Sequence, residues 1–306
     1  MAFAAATPIS SAPTSPGPYV TPIRSISSGN ITALVETKVD IADQPAVAAR
    51  IMEEEPDVEQ VGFITYVKDA APADGSALIS LRMAGGEFCG NATMCAAAHF
   101  ASHGGLQSGA VPVQISGASA PLIVRLEQLA PFSYSAAVSM PPALRIGKVS
   151  LTTAGAAGGP EEVGAAGVSA MMSLPVVEME GISHIIIEHD SDFFGIKDDK
   201  PLAESMLKHW CGVLGADCLG MMFLGEGDGL RPLTPLVYVP GADTMFWENS
   251  CASGSAAAGM YLAAKSGSAV DVTFEEPAGR LRVESDPATG LTILHGSAIL
   301  IEHRIH

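Results

Sequence analysis

Positive charge is scarce in this 306-residue chain: Lys and Arg total 16 against 33 Asp and Glu, a formal net charge of −17. A field of that sign repels phosphate backbones and anionic bilayers, which argues against nucleic-acid and membrane partners. No basic residue precedes Arg24, so the Ala-, Ser- and Pro-rich start carries neither the charged opening of a signal peptide nor the arginines of a transit peptide. Residues 1–20 read as a flexible tail on a cytoplasmic protein. No apolar run approaches the roughly 20 residues of a membrane span. Cysteines number only five, odd and without framework spacing, which excludes a disulfide scaffold and fits a reducing compartment. Charged residues make up 16% of the chain and apolar ones 48%, so it folds, with length enough for one large domain or two ordinary ones.

What is present is duplicated. Gly29-Asn30-Ile31-Thr32-Ala33-Leu34-Val35-Glu36 is echoed by Gly181-Ile182-Ser183-His184-Ile185-Ile186-Ile187-Glu188, each a strand entered through a glycine turn. A helix follows in each half, at 44–55 and 201–213; in the second, Leu202, Met206 and Trp210 recur at helical spacing. Next come strands at Val61–Val67 and Leu219–Leu224, then further strand sequence near Ala77–Leu81 and Leu236–Val239. Each unit then reaches a cysteine: Phe88-Cys89-Gly90-Asn91-Ala92-Thr93 and Ser250-Cys251-Ala252-Ser253-Gly254-Ser255. The helices expected after them, 91–103 and 253–265, carry Ala96-Ala97-Ala98 and Ala256-Ala257-Ala258 and are apolar on nearly every side. Such helices belong inside their domains. The Gly- and Ala-rich segment 152–169 reads as a linker between the halves.

A cysteine at a helix N-terminus meets unpaired amides and the dipole, both of which favour a thiolate. Two in equivalent places suit one substrate held between them, with a proton leaving one face of a carbon and arriving on the other. Duplication for stability alone does not explain why both units keep the thiol. Cys211 and Cys218 carry no such context and read as small buried hydrophobes. Cys95, His99 and His103 share a helix face, but a third ligand two turns away is too far for the same ion, so no metal is expected.

Gly86-Glu87-Phe88-Cys89-Gly90-Asn91-Ala92 and Ser250-Cys251-Ala252-Ser253-Gly254 resemble the paired cysteine motifs of the cofactor-independent racemase and epimerase superfamily, which includes diaminopimelate epimerase and proline racemase. Gly29-Asn30 resembles the Gly-Asn that opens diaminopimelate epimerase, and Gly181-Ile182-Ser183-His184 occupies the place of its Gly-Asn-Pro-His. The resemblance runs from about residue 24 to the C-terminus. It implies an α/β fold of two pseudo-symmetric domains, each a β-barrel-like sheet around a central helix, with the site in the cleft. Residues 21–145 then form the first domain, 146–287 the second, and a last strand near 288–304 returns to the first.

The chemistry implied is α-proton removal by Cys89 or Cys251 as thiolate and reprotonation by the other as thiol, without cofactor. The substrate carboxylate would rest on the amides of Gly90, Asn91, Ala252 and Ser253. Each such donor contributes roughly 3 kcal/mol by analogy with oxyanion-hole deletions. Asn30 and His184 are expected to border the cleft. The segment before Cys251, Val239 to Glu248, lacks the Glu-Arg-Gly whose arginine grips a distal carboxylate in diaminopimelate epimerase. Ile182 replaces the Asn of Gly-Asn-Pro-His, and Met83-Ala84-Gly85-Gly86 replaces Asn-x-Asp-Gly-Ser. These departures are more like the amino acid racemase branch that includes histidine racemases, with Glu87 and Glu248 available to an ammonium or imidazolium.

The expected partner is thus a free amino acid, basic or polar, such as histidine; a homodimer is compatible with the sequence. The alternatives are diaminopimelate epimerase, a proline or hydroxyproline racemase-type enzyme, a phenazine-biosynthesis-type isomerase, and a binding protein without catalysis. Retention of both cysteines counts against the phenazine type, and the missing arginine against diaminopimelate.

Overall fold

The structure, a computed structural model, describes residues 22–67, 79–152 and 171–301. The tail at 1–20 and nearly all of the segment 152–169 lie outside the described residues, as does the start of the strand expected from Ala77. Eight strands close a barrel. β1 (Ile23–Ser27), β2 (Asn30–Val35), β3 (Gln60–Tyr66), β4 (Ile79–Met83), β5 (Ser108–Ile115), β6 (Leu122–Ala130) and β7 (Ser133–Ser139) are neighbours in that order. β16 (Leu291–Ile301) joins β7 back to β1. The helix α2 (Gly90–His103) touches all eight strands and so runs along the barrel axis. A barrel of eight strands is ordinarily filled by its own side chains. A helix fits there because Ala96, Ala97, Ala98 and Ala101 present almost no bulk and are fully buried.

The second half repeats the scheme around α4 (Ala252–Ser266). β8 (Arg145–Thr152), β9 (Met171–Met179), β10 (Ile182–Glu188), β11 (Leu219–Leu224), β12 (Leu230–Val239), β14 (Val270–Glu275) and β15 (Arg280–Asp286) follow in order and end on β16. The short β13 (Thr244–Trp247) pairs with β12 as a hairpin. Among the described residues β8 has only β9 beside it, so this sheet stays open. β16 serves both halves: its first residues pair with β15, its middle with β7 and its end with β1.

Outside the sheets lie α1 (Gln44–Glu54) and α3 (Lys200–Leu214). Val47, Ala48 and Ile51 of α1 pack on Ala33, Val35, Val61 and Phe63. Met206, Leu207 and Trp210 of α3 pack on Ile185, Ile187, Met221 and Phe223. Residues of opposite parity, Leu34 and Ile186, face the inner helices instead. Burial on both faces is why these strands are nearly continuous apolar runs without alternation.

The two halves lock reciprocally through the glycines that open their repeats. Gly29, at φ +98°, turns β1 into β2, and a Cβ there would sit 2.4 Å from the Ala278 carbonyl oxygen, between β14 and β15. Gly181, at φ +74°, turns β9 into β10, and its Cβ would sit 2.6 Å from the Gly117 Cα, between β5 and β6. Each opening turn therefore rests on the loop that follows the cysteine helix of the other half. Both positions need a residue that tolerates positive φ and leaves no side chain in the contact.

Candidate active site

Cys89 and Cys251 are the N-cap residues of α2 and α4, both in extended backbone (φ −141° and −126°). Each sulfur accepts a first-turn amide of its own helix, Ala92 N–H at 3.4 Å and Gly254 N–H at 3.3 Å. Helix hydrogen bonding begins there and at Thr93 and Ser255, which bond the two cysteine carbonyls. Among the described residues the amides of Gly90, Asn91, Ala252 and Ser253 are left without an acceptor. The helices meet end to end: a Cβ on Gly90 would stand 2.8 Å from that of Ala252, and Asn91 Nδ2 donates to the Ser250 carbonyl at 2.7 Å.

Both cysteines line one small cavity of about 40 Å³. Its walls include Glu59, Gln60, Glu87, Gly90, Cys218, Phe246, Glu248, Ala252 and Ser253, and among the described residues no Lys, Arg or His. The Cys89 thiol donates to Gln60 Oε1 at 2.9 Å. Gln60 is held in that orientation because its Nε2 donates to Asn30 Oδ1 (2.6 Å) and Thr32 Oγ1 (2.7 Å). Cys251 hydrogen-bonds to the Glu248 carboxyl and lies 3.5 Å from Ser253 Oγ. Behind it, buried Glu276 accepts from Ser250 Oγ (2.6 Å), from the Cys251 amide (3.2 Å) and from Ser255 Oγ (3.0 Å).

Electrostatics here run against the expectation of a ready thiolate. Burial raises both thiol pKa values well above the ordinary range, and for each the Glu248 carboxyl adds to the rise. The amide bonds from the helix ends do not offset that desolvation. Burial likewise pushes Glu248 and Glu276 up to about 8 and raises Glu59 and Glu87. The resting site is therefore one of protonated thiols among reluctant carboxyls.

Glu87, Gly90, Ala252, Ser253 and Glu248 all line the cavity, as do both cysteines. Asn30 does not; it stands one layer back, bonding Gln60 and Glu59. Asn91 bridges the two cysteine loops, with its side chain outside the cavity wall. His184 is the clear departure from expectation. It points into the apolar interior, packed where Gly220 leaves room, with neither ring nitrogen hydrogen-bonded and its pKa lowered to about 3 by burial. A neutral ring enclosed in this way does not border the cleft.

The histidine racemase CntK N-terminal domain model matches residues 22–294, most of the chain. The chain belongs to that family. A histidine racemase of Staphylococcus aureus is 28% identical over 260 residues, covering 84% of this chain and 85% of that protein. A histidine racemase of Fusobacterium nucleatum is 30% identical over 245 residues, covering 77% of each. In fold, the chain is similar to a probable proline racemase from Agrobacterium radiobacter K84 with bound carbonate. That match has a TM-score of 0.65 at 11% identity and covers 94% of both chains. This family membership makes the protein an isomerase of the racemase and epimerase class. No helix among the described residues is long and apolar enough to cross a membrane.

Four residues at or behind the site had no local signal in the sequence. Glu59 precedes and Gln60 opens β3, and Glu276 directly follows β14; a charged or amide residue at a strand end is unremarkable. Glu59 accepts from four donors, the Ile31 and Asn249 amides and the side chains of Asn30 and Asn249, and so binds the first half to the loop before Cys251. Cys218, read as an inert buried thiol, lines the cavity, and its Sγ donates to the Tyr238 carbonyl at 3.2 Å.

Proposed function

We propose that the protein racemises a free amino acid with a cationic or polar side chain, histidine foremost, by a two-base mechanism without a cofactor. The observation that carries this reading is that two thiols, each capping a helix from a different half, open on one cavity walled by carboxyls and, among the described residues, by no basic side chain. The substrate carboxylate rests on the amides of Gly90, Asn91, Ala252 and Ser253, whose dipoles meet the charge that grows as the α-carbon loses its proton. The α-ammonium faces Glu248. One cysteine, as thiolate, takes the α-proton; the other, as thiol, delivers its own proton to the opposite face. The enzyme emerges with the proton on the first sulfur, ready for the reverse reaction.

The raised thiol pKa values support a division of labour between enzyme and substrate. In the empty site both sulfurs hold protons. A cation entering between Glu248 and the sulfurs favours loss of one thiol proton to solvent as the substrate enters, by the same Coulombic effect with the sign reversed. The cavity is far smaller than the several hundred Å³ of an ordinary ligand pocket. The five free thiols support a reducing, cytoplasmic setting.

The test is exchange in heavy water. Incubated with L-histidine, the wild type should wash deuterium into the α-position and accumulate D-histidine. Cys89→Ala and Cys251→Ala should each lower racemisation at least about 1,000-fold, the scale on which loss of a unit-forming catalytic group is felt. Full turnover by either variant would sink the two-base mechanism. Absence of exchange with every amino acid, thiols reduced, would sink the racemase reading.

A further inference from the structure

Among the described residues, Glu59, Glu87 and Glu248 bring carboxyls to the cavity, and their partners differ. Glu59 is saturated by four donors. Glu248 is engaged with Cys251. The Glu87 carboxyl is bonded by the amides of Gly85 and of Glu87 itself, yet its Oε2 is buried and, among the described residues, meets no donor within hydrogen-bonding distance. Burial raises the Glu87 pKa and the Arg82 charge lowers it, but the Arg82 Nη1 donates to Gln44 Oε1 (2.8 Å) and to the Met83 carbonyl (3.0 Å). A buried carboxyl oxygen without a donor is costly, and sites that tolerate one commonly hold it for a ligand.

Glu87 is also held in position. It stands two residues before Cys89, after the tight turn at Gly85-Gly86, where Gly86 has φ +81°. A Cβ on Gly85 would come within 2.7 Å of Glu87 Oε2 and 2.6 Å of Val239 Cγ1, so the glycine makes the space in which the carboxyl lies. The Glu87 carbonyl accepts from Ser116 Oγ at 2.8 Å, which pins the backbone beneath it. The wall of the cavity it shares with Glu59 and Glu248 also carries the neutral residues Ala84, Val239, Ala242, Thr244 and Phe246. An unsatisfied acceptor in a wall with that neutral surface fits a flat ring that carries an N–H.

Resting on the racemase reading above, we infer that Glu87 selects the substrate's side chain by accepting an imidazole N–H, while the ring lies against the β12–β13 hairpin. Glu59 acts as a structural tie and Glu248 serves the reacting end. Discrimination then arises because an isostere without the N–H leaves the buried acceptor empty, and sites of this kind reject such analogues strongly.

The experiment compares kcat/KM for α-deuterium exchange with L-histidine and with β-(2-thienyl)-L-alanine, a ring of similar size without an N–H. Wild type, Glu87→Gln and Glu87→Leu are measured, with thermal melts to confirm folding. Wild type should prefer histidine by about 100-fold or more. Glu87→Leu should collapse that ratio to within about threefold of unity, mainly through KM for histidine, and Glu87→Gln, whose amide oxygen still accepts, should retain part of it. A ratio unchanged in folded Glu87→Leu overturns the assignment while leaving the racemase reading standing, and so does an equal loss on both substrates. A wild type that exchanges neither these nor any other amino acid removes both.

Discussion

At the scale of single residues, the site depends on what is missing from Gly90. That residue is the first of α2, at an ordinary backbone angle, and an alanine there would be harmless in an isolated helix. It cannot be alanine here because the Ala252 methyl group of the other half lies 2.8 Å from where its Cβ would be. Neither group is the end of a flexible chain, so relief requires the two helices to move apart, and with them the two sulfurs. Gly90→Ala should therefore cost about 1–3 kcal/mol of stability, as overpacking does. It should also lower turnover at least tenfold. Adding Ala252→Gly should restore most of both losses; a double mutant no better than the single one would contradict the contact.

At the scale of elements, the two cysteine helices look alike in sequence but are held differently. Gln60, a neutral amide fixed by Asn30 and Thr32, receives the Cys89 thiol. The α4 end is instead gathered by Glu276, which takes two hydroxyls and the Cys251 amide. Glu276→Ala should lower stability by roughly 2 kcal/mol or more, because it leaves those donors buried without an acceptor. It should also loosen Cys251, seen as faster alkylation of that thiol. Glu276→Gln keeps an acceptor and should retain most of the stability in a denaturant titration. Similar losses for both variants would mean that charge, and not the hydrogen bonds, holds the loop.

At the scale of the whole molecule, the carboxyls around the site set a pH dependence. Glu248 and Glu276 have folded-state pKa values raised from 4.5 to about 8. Between those pH values the folded state binds protons that the unfolded state has released. Their contribution to stability is thus full below about 4.5 and is lost as pH rises through about 8. Glu36 and Asp57 are lowered, Glu36 by its bonds to His99 and Tyr66 and Asp57 by its bond to Arg24, and so act in the opposite sense at acid pH. The melting temperature should accordingly be highest near pH 5 and fall by several degrees towards pH 9. The alkaline slope should be shallower in Glu276→Gln; a flat profile from pH 5 to 9 would contradict the raised pKa values.

Much of this was legible in the chain because it depends on local pattern. The glycine-led octets, the alanine-rich helices and the cysteines before them are each a statement about a few adjacent residues: turn, burial or helix start. The duplicated order of those elements marked two like halves with inner helices, and the resemblance of the cysteine motifs to a known superfamily implied the sheets around them. The β13 hairpin was not legible, since Thr244–Trp247 is too short to show alternation; the return of a last strand near 288–304 to the first domain came only from the family resemblance. His184 was misjudged for a related reason: its strand was recognised, but whether its buried face met a cleft or a core depended on Gly220 across the sheet.

What the sequence determined by itself is the pair of thiols at two helix starts within two like halves, because N-caps and apolar helices are written in contiguous residues. Tertiary structure decided which further groups surround those thiols. Glu87 and Glu248 stand close before the cysteines in the chain, but Glu59, Gln60 and Glu276 arrive from strand ends far from them, and burial in one place raises the pKa of the four carboxyls, to about 8 for Glu248 and Glu276. Desolvation is a property of the assembled volume, so no window of sequence contains it.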